Sequence, residues 1–135
     1  MARSRIKAKN RKESSSFVAI PHVLLSSQNY ASLAPRSVKL FMDLLGQYKG
    51  TNNGDLCMTF SVMKEVGWTS KDQLQKARNE LIEKGWIVLT CQGGRKKPSL
   101  YAVTFKPIDD CKGKLDRQYP NTPLNYWKQG HAPEN

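Results

Sequence analysis

The run Thr69-Ser-Lys-Asp-Gln-Leu-Gln-Lys-Ala-Arg-Asn-Glu-Leu-Ile-Glu-Lys-Gly85 constrains the chain most, because several independent local signals specify a helix there. Thr69 or Ser70 can cap the first turn, and Ser70 with Gln73 has the reciprocal spacing of a capping box. Leu74, Ala77, Leu81 and Ile82 recur at helical spacing on one side, while Asp72, Gln75, Lys76 and Asn79 fall on the other. Gly85 offers a left-handed stop, and Trp86-Ile-Val-Leu-Thr-Cys91 begins a strand at once. Such a helix buries one face in a core and presents the other to a partner.

The flanking elements extend this pattern. Phe17 to Ile20 before Pro21 reads as a short extended segment, and His22 to Tyr30 as a brief helix with Val23, Leu24 and Tyr30 available for packing. Pro35 suits the first helical position, and Val38, Phe41, Leu45 and Tyr48 follow at 3, 4 and 3 spacing with Leu44 beside them. Lys49-Gly-Thr-Asn-Asn-Gly54 stops that helix with residues that tolerate positive φ, and Asp55 to Met58 reads as a short strand. Thr59 or Ser61 can cap a second helix with Phe60, Met63 and Val66 on one face, closed by Gly67. After the central helix, strands from Trp86 to Cys91 and from Ser99 to Phe105 are joined by Gln92-Gly-Gly-Arg-Lys-Lys-Pro98, whose Gly-Gly favours a reversal. The expected architecture is α+β: three main helices and a small three-stranded antiparallel sheet with a hairpin, the layout of a winged helix-turn-helix.

Three segments are expected: a basic flexible arm over 1–16, a domain over 17–106, and an irregular tail over 107–135 that holds four prolines yet includes Tyr119, Tyr126 and Trp127. At 135 residues the chain suits one domain with a single core. There are 22 Lys and Arg against 11 Asp and Glu, a formal charge of +11 and a pI near 9.8, which points to a polyanionic partner. Six of those bases, Arg3, Arg5, Lys7, Lys9, Arg11 and Lys12, lie in residues 1–12 with no acid among them.

Several classes are disfavoured. Cys57, Cys91 and Cys111 are odd in number and widely spaced, so neither a disulfide framework nor a zinc site is expected. His22 and His131 are the only histidines and neither has a carboxylate cluster, so the chain is expected to be no enzyme and to carry no metal or cofactor. No apolar run approaches the ~20 residues of a membrane span, and the basic N-terminus lacks a signal-peptide core; a protein of the cytosol is expected, with no membrane partner.

The stretches Lys49-Gly-Thr-Asn-Asn-Gly-Asp-Leu56, Val66-Gly-Trp-Thr-Ser70 and Lys76-Ala-Arg-Asn-Glu-Leu-Ile-Glu-Lys-Gly-Trp-Ile87 resemble a group of small winged helix-turn-helix proteins. These are carried by proteobacterial phages, plasmids and integrated elements, and the resemblance covers roughly residues 17–106. It implies sequence-specific binding of double-stranded DNA in a bacterial host cytosol, serving transcription regulation of a phage or mobile element. Replication-origin recognition by the same element is the alternative within that class. A protein-interaction factor aimed at a host protein is the alternative outside it.

By that resemblance the recognition helix would offer Thr69, Ser70, Lys71, Gln75, Lys76 and Asn79 to the major groove, and the wing would offer Arg95, Lys96 and Lys97 to the backbone or minor groove. Gln and Asn can pair with adenine and Lys with guanine, whereas three adjacent bases on a hairpin suit phosphate. Asp72 can serve the helix dipole or accept from a cytosine amine. The same side chains also fit a plain solvated helix face and a solubilising loop. The arm bases can track a minor groove or serve solubility. A single recognition helix reads few base pairs, so a homodimer is expected. Phe17–Tyr30, the first helix or the tail around Tyr119–Trp127 could mediate it, the helix least readily because its apolar face is needed for the core.

Overall fold

The computed structural model describes residues 16–133. The arm bases Arg3, Arg5, Lys7, Lys9, Arg11 and Lys12 lie outside the described residues. The fold is α+β, with five helices among those residues: α1 (His22–Leu25), α2 (Gln28–Ala31), α3 (Pro35–Leu45), α4 (Phe60–Met63) and α5 (Lys71–Glu83). Strands β1 (Ile87–Cys91) and β2 (Leu100–Val103) pair antiparallel. No helix among the described residues is long and apolar enough to cross a membrane.

The expected brief helix over 22–30 is two single turns. The Ser26 hydroxyl donates to the Val23 carbonyl and the Ser27 hydroxyl to the Leu24 carbonyl, while Ser27 accepts the Tyr30 N–H as the cap of α2. Paired serines thus end one turn and start the next. Leu24 is buried, whereas Val23 is exposed.

In α3, Pro35 does stand at the first position, but the buried stripe is rotated from the expected one. Ser37, Leu40, Phe41, Leu44 and Leu45 face inward, and Val38 and Tyr48 are only partly covered. Glu80 of α5 explains the rotation. Its carboxylate accepts from the Ser37 hydroxyl, from the Ala34 N–H at 3.2 Å and from the Lys84 ammonium at 2.9 Å, so this polar edge of α3 is drawn onto α5. Burial pushes the Glu80 carboxyl up, but the Ser37 and Lys84 hydrogen bonds, the Ala34 N–H and the Lys84 charge together outweigh it and hold the group below the usual glutamate range. Its stabilising contribution is therefore complete above the ordinary glutamate pKa and is lost as pH falls through the lowered folded value. Glu80→Gln is expected to cost about 1–2 kcal/mol at neutral pH, and the difference from the parent should shrink in acid; urea unfolding at pH 7 and pH 3 measures both.

The expected third strand, Asp55 to Met58, is reduced to one bridge. Leu56 exchanges both backbone hydrogen bonds with Tyr101, and on the opposite edge the Gln47 side chain donates to the Cys57 carbonyl at 2.6 Å and accepts the Cys57 N–H at 2.8 Å. The segment pairs no further, because Thr59, three residues after Leu56, already caps α4 by accepting the Val62 N–H. Met63 is buried and Phe60 half-buried, while Val66, expected on the same face, is 46% exposed.

The core runs between α3, α5 and the hairpin. Leu40, Phe41, Leu44, Leu74, Ala77, Leu81, Trp86, Ile87 and Val103 form its centre. Phe41 meets the Trp86 ring edge-on at 5.4 Å, and Trp127 stacks on Trp86 at 5.8 Å. The stretch after Phe105 is irregular, as expected, with 3-10 turns at Cys111–Gly113 and Tyr126–Lys128, yet it buries Ile108 and Trp127. Asn29 clips α2 to this arrangement: its side chain accepts from the Trp86 indole and donates to the carbonyls of Lys84 and Trp127.

Candidate nucleic-acid interface

The placement of α5 starts at the turn that precedes it. Gly67 has φ 102°, the Trp68 N–H reaches back to the Met63 carbonyl, and the Gly67 N–H reaches the Lys64 carbonyl, which closes the α4 end in a Schellman-type motif. Trp68 is buried and donates its indole N–H to Asp43 of α3 at 2.7 Å. Lys39 of α3 bridges the same carboxylate and the Val66 carbonyl, with its ammonium 5.4 Å from the Trp68 ring centroid. The turn is therefore pinned to α3 on both sides, and α5 leaves it in a defined direction.

Ser70 then caps α5 by accepting the Gln73 N–H at 3.1 Å, half of the expected capping box. At the far end the Trp86 N–H bonds to the Leu81 carbonyl and the Gly85 N–H to the Ile82 carbonyl, with Gly85 at φ 84°. A Cβ on Gly85 would stand 2.6 Å from the Tyr126 backbone, so glycine serves both the left-handed turn and the packing of the tail. Leu74, Ala77 and Leu81 are buried, as the periodicity requires.

Lys71, Asp72, Gln75, Lys76 and Asn79 are all exposed. They differ in how far they are committed. Lys76 pairs with Asp72 at 3.1 Å in an i,i+4 arrangement at the surface, a contact that holds neither side chain strongly. Asp72 sits in the first turn, where it favours the helix dipole. The Lys71 ammonium lies 5.6 Å from the Phe60 ring centroid and so leans toward α4. Gln75 and Asn79 have no side-chain hydrogen bond among the described residues and remain free to donate and accept. Thr69 is exposed, whereas the Ser70 hydroxyl is engaged as the cap.

The hairpin carries the second group. Gly94 and Lys97 exchange backbone hydrogen bonds around a two-residue tip, Arg95-Lys96, and the positive φ of the reversal, 70°, falls on Lys96. The expected reversal at Gly93-Gly94 is thus displaced by two residues. Gly93 has a different use: a Cβ there would meet the Ser99 nitrogen at 2.4 Å, so only glycine lets the two arms approach this closely. The Ser99 hydroxyl accepts the Gly93 N–H, and Asp116 of the tail accepts the Gln92 N–H at 2.8 Å, which braces the hairpin base. Arg95, Lys96 and Lys97 are exposed and form no ion pair among the described residues.

One basic residue of α5 escaped the sequence-based assignment. Arg78 is half-buried and lines a small cleft with Met58, Thr59, Ser99 and Tyr101, between the start of α4 and the hairpin. Its position four residues after Leu74 marks it as bordering the core, but nothing local indicates that Thr59 and Ser99 converge on it. Three acids, Asp109, Asp110 and Asp116, line a separate cleft built from residues 108–121. No cluster of histidine, cysteine and carboxylate side chains suited to a metal ion occurs among the described residues. Compared with protein-family models, curated proteins and solved structures, the chain matches none.

Proposed function

We propose that the chain is a winged helix-turn-helix protein that binds double-stranded DNA sequence-specifically, with α5 in the major groove and the hairpin as the wing. The observation that carries the reading is the outer face of α5, where Gln75 and Asn79 are exposed and uncommitted on a helix whose entry turn is pinned to α3. Amide side chains of this kind pair with adenine edges, and Lys76 reaches guanine once its surface pair with Asp72 opens. Three adjacent bases at the hairpin tip supply phosphate contacts, which position a protein without reading sequence. A net charge of +11 suits this polyanion.

The role assigned is transcription regulation of a phage or mobile element in a bacterial cytosol. Selection of bound fragments from a random duplex library tests it: one enriched motif, footprinted at a promoter, is expected. An array of iterated sites would assign origin recognition instead, and no enrichment would remove sequence-specific binding. On the selected site Gln75→Ala is expected to cost about 1–3 kcal/mol and to relax preference at one position, with little change on random duplex.

A second copy completes the site in this reading. Trp127 is consumed by the chain's own core, so the tail is the poorer dimer surface; Phe17, Val23 and Leu25 leave exposed apolar area on the N-terminal segment. Sedimentation equilibrium giving a monomer both free and on DNA would refute the dimer.

A protein-binding role has one observation in its favour. Met42, Val62 and Val66 are exposed around an apolar cleft between α3 and α4. A stoichiometric host protein retained after nuclease treatment, together with no duplex affinity at low salt, would favour that role.

A further inference from the structure

Arg78 is the one α5 cation that is half-buried yet has neither an ion pair nor a hydrogen bond among the described residues. A guanidinium carries five N–H donors and stays charged at every accessible pH, so removing part of its hydration without a partner is costly. The cleft that it lines holds no carboxylate. Besides Arg78 it is lined by Met58, Thr59, Ser99 and Tyr101, which bring three hydroxyl groups and the apolar parts of Met58 and Tyr101. The Ser99 oxygen already accepts the Gly93 N–H at 2.9 Å, while its own proton has no acceptor among the described residues. The Thr59 oxygen accepts the Val62 N–H at 3.4 Å and the Cys57 thiol at 3.7 Å, and it stands 3.3 Å from the Ser61 hydroxyl, a pair in which either can donate. The cleft therefore combines a fixed positive charge with hydroxyl donors and no competing acid.

Its volume is about 130 Å³. Drug-sized or nucleoside ligands need roughly 300 Å³ or more, whereas this space suits a single tetrahedral anion. We propose that Arg78, with the hydroxyls of Thr59 and Ser99, forms a pocket for one phosphate group, which on duplex DNA is a backbone phosphodiester lying between α5 and the hairpin. The DNA source rests on the function proposed above; the phosphate chemistry does not. Such a contact would tie together the three segments that meet there, the start of α4, the middle of α5 and the hairpin base, so that backbone binding sets how deeply α5 enters the groove. Arg suits it better than Lys, because its planar fork can place two N–H groups on two phosphate oxygens.

Two arms test the proposal on the full chain. In the first, inorganic phosphate is titrated at constant ionic strength against chloride, and the Arg78 Nε–H and the Thr59 and Ser99 amides are followed by NMR. A saturable shift confined to phosphate is expected, abolished in Arg78→Gln and weakened in Arg78→Lys and Ser99→Ala. The unfolding midpoint of each variant is measured alongside, and the Lys and Ala variants keep the test usable if the Gln variant fails to fold. In the second arm, duplexes with one neutral methylphosphonate linkage are compared. Arg78→Gln is expected to weaken the parent duplex roughly 10- to 100-fold, the scale of a charge-assisted hydrogen-bonded contact, and to be indifferent to the one linkage that most weakens the unaltered chain. A phosphate-specific shift without any duplex binding would keep the pocket and discard the DNA source. Duplex binding with no phosphate-specific shift and full affinity in Arg78→Gln would overturn the pocket and leave the DNA-binding reading standing.

Discussion

Asn53→Ala is expected to destabilise the protein by about 3–5 kcal/mol, because it strands the buried N–H and carbonyl of Val103 and removes the donor to two part-buried carbonyls. Asn53 is fully buried. Its side-chain oxygen accepts the Val103 N–H at 2.9 Å, and its amide nitrogen lies within 3.1 Å of the carbonyls of Val103, Lys106 and Pro107. One side chain thereby replaces the missing ladder partner at the end of β2 and fixes the chain's exit into the tail. The Asn53 backbone adds to the joint, since its N–H donates to the Asp109 carboxylate and its carbonyl accepts the Asp109 N–H. Alanine would leave the Val103 N–H unpaired in the core, and Asp in place of Asn would supply no donor for the three carbonyls. The neighbouring Asn52, which bonds the Lys49 N–H and the Gln47 carbonyl at the surface end of the turn, should cost only about 1 kcal/mol when truncated. Urea unfolding of both variants checks the contrast; equal losses would show that Asn53 acts as an ordinary turn residue.

Trp127→Ala is expected to cost a similar 3–5 kcal/mol, the scale for emptying a large aromatic site. The ring is 5% exposed and stacks on Trp86, itself edge-on to Phe41, so the cavity opens directly onto the centre of the core. The loss should spread to α2, because Asn29 holds the Trp127 carbonyl and the Trp86 indole together. Hydrogen exchange is expected to quicken at α2 and at the C-terminal end of α5 before it does at α4. A variant within about 0.5 kcal/mol of the parent would mean that residues 107–133 lie on the domain without supporting it.

How much of this was legible in the residues depends on the range of the forces involved. The central helix was readable because its determinants are local: Ser70 at the cap, Leu74, Ala77 and Leu81 at helical spacing, and Gly85 at the stop. The α+β class followed from that helix and from the β-formers after it. The rotation of α3 was not readable, since it depends on Glu80 reaching Ser37 across 43 residues. Nor was the loss of the third strand, where one bridge from Leu56 to Tyr101 is followed within three residues by the Thr59 cap of α4. At the hairpin the Gly-Gly pair does not form the tip, because Gly93 is required for close approach and the positive φ falls on Lys96. The outward residues of α5 were found because exposure follows the helical period. Arg78 was not, since its cleft forms only when residues 58–59, 78 and 99–101 meet.

Binding of duplex DNA by α5 and the hairpin, as proposed, is read from the affinity for selected and random duplexes as a function of salt. Log K is expected to fall linearly with log salt for the unaltered chain. The double variant Lys96→Ala with Lys97→Ala should weaken both duplexes alike and reduce the slope by about 1.8, the release from roughly two phosphate contacts. Gln75→Ala should leave that slope unchanged while narrowing the gap between the selected and random duplexes. Salt-independent or absent binding by the unaltered chain, or an unchanged slope in the double variant, would contradict the proposed binding.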